Sequence, residues 1–145
     1  MLTTIITSVI VSLVTTLIAL YVAQPIQGQK QLMGEIAYAT RYYRTATAKV
    51  RAEWRTPEAA KAKAEEATDA LLVLSARLGA SPDTFPARGK SYGLLERLRL
   101  VESRENVSTA STELRVWAYS IRMGDSQAAV RHRLEVIKAL DLPRD

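Results

Sequence analysis

At 145 residues with no cysteine, one histidine and one phenylalanine, the chain can form neither disulfides nor cysteine-based zinc sites, and it carries no thiol nucleophile. Its 20 Lys and Arg against 15 Asp and Glu give a net charge of +5, and all of these charges lie at or beyond Lys30. Abundant alanine and sparse glycine argue for helices and against an all-β fold.

Residues 1–23 (MLTTIITSVIVSLVTTLIALYVA) hold no charged side chain. That length matches the roughly 20 apolar residues needed to cross a hydrocarbon core as a helix. A cleaved signal would open with basic residues and carry a shorter apolar core. Here no Lys or Arg comes first, and Tyr21 stands where cleavage after Ala23 would want a small residue. The segment is therefore expected to be a permanent anchor that meets membrane lipid directly. Positive charge follows the span at Lys30, Arg41 and Arg44, which predicts the N-terminus outside and the rest in the cytoplasm, at the cell (inner) membrane. Within the span, Thr4, Ser8, Ser12 and Thr16 recur every four residues. Small hydroxylated ridges suit helix–helix packing in lipid, so a homo-oligomer or a partner membrane helix is one expectation. The other is that each hydroxyl bonds its own backbone one turn back.

Residues 24–31 (QPIQGQKQ) hold Pro25 and Gly28 and read as a linker where the membrane helix ends or bends. Residues 32–145 then form the predicted helical cytoplasmic domain, about 115 residues and enough for one small domain. Its first helix carries the stripe Leu32, Ile36, Ala39, Tyr43, Ala46, Val50, Trp54. Thr56, Pro57 and Glu58 form a helix start, with Ala60, Ala64, Ala67, Leu71, Leu74 and Leu78 inward and Gly79 as the C-terminal cap. A loop follows over 80–91. A short helix over 92–100 presents Leu94, Leu95 and Leu98, with Val101 just beyond. Ser103 caps a long helix with Val107, Ala110, Leu114, Trp117 and Ile121 inward, ended by Gly124. Asp125 caps the last helix, expected to bury Val130, Leu134, Ile137 and Leu140. No segment alternates long enough to be a strand. The fold class is all-α: an N-terminal transmembrane helix, then an antiparallel bundle of about four helices plus one short helix.

Chemical motifs are sparse. His132 stands between Arg131 and Arg133 on the polar side of its helix, with no second His or Cys to complete a metal site. There is no glycine-rich phosphate loop and no nucleophile elbow. No catalytic residue, metal or cofactor is expected, and the chain reads as a non-enzyme. Arg41, Arg44, Arg51 and Arg55 share one face of the first domain helix, flanked by Tyr38 and Tyr42. A straight helix would put Arg41 about 27 Å beyond Ala23, far outside a Debye length of about 8 Å from the headgroups. The face then serves solubility or a protein partner, unless a bend at Pro25 or Gly28 lays the helix against the surface and brings it to anionic lipid. A second basic group, Arg77, Arg88, Lys90, Arg97 and Arg99, surrounds the loop, with only Phe85 and Tyr92 nearby to stack on bases, so nucleic acid is not expected.

The runs GEIAYATRYYRTA and SYGLLERLRLVESRENVSTASTEL resemble a family of small prokaryotic single-span membrane proteins of unknown function. In that family a Y-G-L-L element precedes an S-R-x-N-[IV] helix start, here Ser103, Arg104, Glu105, Asn106 and Val107. The resemblance covers most of residues 34–121. It implies a membrane-tethered helical domain and assigns no catalytic residue. Three functions follow from the residues: a non-enzymatic interaction module at the cytoplasmic face, a small oligomeric holin- or pore-like toxin component, or a tethered binder of anionic lipid or nucleic acid.

Overall fold

The computed structural model describes residues 2–45, 57–86 and 90–143, and no strand occurs among them. In chain order the helices are α1 (Leu2–Ile18), a π-helical turn (Ala19–Ala23), α2 (Gln24–Tyr42), α3 (Pro57–Ala80), α4 (Lys90–Arg97), α5 (Arg104–Met123) and α6 (Ser126–Ala139). Short 3₁₀ turns follow α2 (Tyr43–Thr45) and α3 (Ser81–Thr84). The chain is all-α, a long apolar N-terminal helix joined to an antiparallel bundle. One helix is long and apolar enough to cross a membrane.

Residues 24–31 do not form the expected linker; the helix continues through them to Tyr42. Proline lacks an N–H, and its ring crowds the carbonyl one turn back. The π turn absorbs the conflict just before Pro25. There the Gln24 N–H bonds the Ala19 carbonyl five residues back, a wider register than an α-turn. The supposed linker also contributes to the core, because Gln29 is buried.

The main core joins Leu32, Ile36 and Ala39 of α2 to Leu71 and Leu78 of α3, Leu114 and Trp117 of α5, and Val136 of α6. α3 and α5 run antiparallel: Thr68 meets Ala118, and Ser75, seven residues on, meets Ser111, seven residues back. Thr68 Oγ1 shares its hydrogen between Ala64 O at 2.7 Å and Ala118 O at 3.2 Å. Ser75 Oγ donates to Ser111 O at 2.7 Å, and Ser111 Oγ donates to Ser75 O at 2.9 Å. Gly79 is not the expected cap, since α3 runs on to Ala80. Its role is close approach: a Cβ there would stand 3.0 Å from Ser111 Oγ.

Ser103 Oγ accepts from Asn106 N, and Asp125 Oδ1 accepts from Ala128 N, each at 3.0 Å, so both expected N-caps are present. Trp54, Val50, Ala46 and Thr56 lie outside the described residues. The α6 stripe is shifted from the expected one. Ala129, Val136, Ile137 and Leu140 are buried, whereas Val130 and Leu134 are exposed. Arg133 occupies the half-buried position between Ala129 and Val136, and its Nη1 donates to Thr40 O at 3.1 Å. A stripe drawn through apolar residues alone passes over that arginine and slips by one.

α4 begins at Lys90, two residues before its expected start. It buries Tyr92 and Leu95 but leaves Leu94 and Leu98 exposed, against expectation. With Phe85, these two buried residues form a second cluster, against which Val22, Ile26 and Val101 pack. The Phe85 and Tyr92 rings meet edge to face at 4.9 Å. Gln29 Nε2 donates to Tyr92 Oη at 2.9 Å, and Tyr92 Oη donates to Glu102 O at 2.5 Å. The end of the apolar helix is thereby fastened to α4 and to the start of α5.

Candidate interaction surface

Where α2 and α3 cross, their outer faces leave an open groove of about 750 Å³. Gly34 and Ala70 supply no bulk, and Tyr38, Val73 and Leu74 supply apolar walls. A Cβ built on Gly34 would touch nothing within 4 Å, so that glycine keeps the groove open. Beside it, the Arg77 guanidinium donates to both Glu35 carboxylate oxygens, one contact at 3.3 Å. The hydrogen bond from Arg77 holds the Glu35 carboxyl below its ordinary range.

Tyr38 forms the outer edge, with Tyr42 stacked behind it. Their rings stack at 5.5 Å, and Tyr43 meets Tyr42 edge-on at 5.0 Å. Tyr38 and Tyr42 are exposed, while Tyr43 packs against the main core. Burial raises the Tyr43 phenol above its ordinary range, with the Glu66 carboxylate adding to the effect. Sequence reasoning named Tyr38 and Tyr42 as edge residues but missed the groove. The available signal was Gly34, an isolated glycine within a strong helical pattern, four residues before Tyr38.

The expected basic face is described only in part. Arg41 and Arg44 are exposed at the far end of α2; Arg51 and Arg55 lie outside the described residues. Because α2 is helical from Gln24 to Tyr42, Arg41 stands about 27 Å along the axis from Ala23. In α1, Thr16 Oγ1 donates to Ser12 O and Thr15 Oγ1 to Val11 O, each at 2.8 Å. Of the four ridge residues, Thr16 thus has its hydroxyl bonded to its own helix. Ser8 and Ser12 are exposed, like residues 5–18 of α1 generally, and Thr4 lies on the same helix.

His132 departs from its expected polar setting. It is half-buried between α5 and α6, with Nδ1 2.6 Å from Glu113 Oε2 and Nε2 3.2 Å from Arg131 Nη2. A guanidinium only donates, so Nε2 accepts and Nδ1–H donates to the carboxylate. The histidine is thus a bridge between helices. Among the described residues, no group of three or more His, Cys, Asp or Glu is placed to hold a metal. No known family, curated protein or solved structure matches the chain.

Proposed function

We propose that the chain is a non-enzymatic, membrane-anchored interaction module, with α1 in the bilayer, the N-terminus outside and the bundle at the cytoplasmic face. The groove between α2 and α3 then receives an apolar helix of a protein partner. One observation carries this reading: the helix that emerges from the charge-free segment also forms a wall of an open apolar groove. Charge supports the orientation, since no Lys or Arg precedes the span and Lys30, Arg41 and Arg44 follow it. The groove's small floor and aromatic edge suit a helix laid along it.

The test places a photocrosslinking amino acid at Tyr38 in the full chain in its native membrane. A discrete adduct is expected, and Gly34→Leu, which fills the groove without meeting a neighbouring atom at its Cβ, should abolish it. The same crosslinker at Met123 should give none. An absent adduct, or one indifferent to Gly34→Leu, would count against the groove as the binding surface.

A further inference from the structure

The geometry points to the outer face of α4 as a second membrane contact, an interfacial element that rests on the bilayer beside the span. This rests on α1 being the anchor. At about 20 residues per hydrocarbon core, a span beginning at Leu2 ends near Tyr21. Val22 and Ile26 therefore stand at headgroup level, and both pack against the cluster of Phe85 with Tyr92 and Leu95 of α4; Gln29 adds a hydrogen bond to Tyr92. α4 is held at that level by contact.

Its other face is apolar and uncovered. Leu94 is 61% and Leu98 59% exposed, and Leu100 beyond them is exposed too. Leu94 and Leu98 are one turn apart, since the Leu98 N–H bonds the Leu94 carbonyl at 3.1 Å. At about 100° per residue, the order around α4 and its continuation runs Tyr92, Leu95, Ser91, Leu98, Leu94, Lys90, Arg97. The exposed leucines thus lie between Ser91, next to the docked side, and the cations Lys90 and Arg97 on the far side. Leucines at the acyl boundary with Lys and Arg reaching phosphates is the arrangement of an interfacial amphipathic helix. The long stems of Lys90 and Arg97 span the step from one zone to the other.

The backbone adds an independent sign. Arg99 sits in the left-handed region at φ 56°, a conformation usually given to glycine. It ends α4 with the Leu100 N–H bonded to the Leu95 carbonyl at 2.9 Å. A third cation thereby follows α4, at a backbone position where glycine would sit without strain. The partner that matches exposed leucines flanked by Lys90 and Arg97 at this depth is a bilayer with anionic headgroups.

The chain has no cysteine, so single substitutions can carry an environment-sensitive NBD label in the full-length protein. Leu94→Cys and Leu98→Cys are compared with Val14→Cys in α1 and Met123→Cys, which is 82% exposed at the far end of α5. In vesicles of phosphatidylcholine and phosphatidylglycerol, labels at 94 and 98 should emit blue-shifted light. They should be quenched by a shallow nitroxide lipid and shielded from aqueous iodide, whereas the label at 123 should show the reverse. Iodide quenching at 94 and 98 equal to that at 123, with 14 still in lipid, overturns the contact and leaves the anchor standing. Shielding at 94 and 98 from both quenchers identifies a protein occupant and also overturns it. Iodide access at 14 removes the anchor and this inference together.

Discussion

Tyr92 is the residue on which two parts of the molecule depend. It is fully buried, accepts from Gln29 and donates to Glu102, and the Arg104 guanidinium lies 5.3 Å from its ring centre. Tyr92→Phe keeps the ring but strands a buried amide and a carbonyl, so it should destabilise by about 1–3 kcal/mol. Burial also raises the Tyr92 phenol above its ordinary range. A raised folded value means stability is fully present below the unfolded value of about 10 and declines as pH rises past it. Parent protein should therefore lose stability in alkali above about pH 10, and Tyr92→Phe should lose less over the same interval. Denaturant titrations across that range check both. The helix ends carry a related lesson. α4, α5 and α6 close with the same left-handed residue, but only Gly124 is glycine; Arg99 and Asp141 fill the other two positions. Asp141 also sets a carboxylate against the negative end of α6. Asp141→Gly should stabilise by about 0.5–1 kcal/mol, read from the urea midpoint.

At the scale of elements, much was legible because the relevant signals were local. Ser103 and Asp125 announced their helices, and Val107, Leu114 and Trp117 marked the inward stripe of α5. Where the sequence misled, a long-range partner decided the outcome. Pro25 and Gly28 resemble a break until the π turn accommodates the proline. Leu94 and Leu98 fit a core stripe equally well as Tyr92 and Leu95, and only the docking of Val22 and Ile26 chooses between them. Arg133 is inward because a carbonyl of α2 waits for it. The groove was invisible for the same reason, being a property of how two helices cross. A direct consequence concerns residues 24–31. A fragment starting at Leu32 deletes Gln29 and Ile26, leaving the Tyr92 cluster open. A fragment starting at Gln24 should be more stable in urea by about 1–3 kcal/mol from the Gln29 bond alone. Equal midpoints would show that these residues serve only as a connector.

On the scale of the whole molecule, the helical path from Leu2 to Tyr42 joins a bare apolar half to a half packed in the bundle core. Among the described residues, the Ile, Val and Leu side chains of α1 from Ile5 to Ile18 are exposed. Left in water, such a surface would drive aggregation; lipid is the solvent that suits it. α2 continues the apolar helix into the bundle without a slack tether, and the cluster around Tyr92 braces the junction. The decisive measurement is alkaline carbonate extraction of native membranes containing the full chain, fused at its C-terminus to a reporter active only in the cytoplasm. An α1 anchor with the bundle inside predicts retention in the membrane pellet and an active reporter. Release into the supernatant would contradict the anchor, and retention with a silent reporter would contradict the orientation.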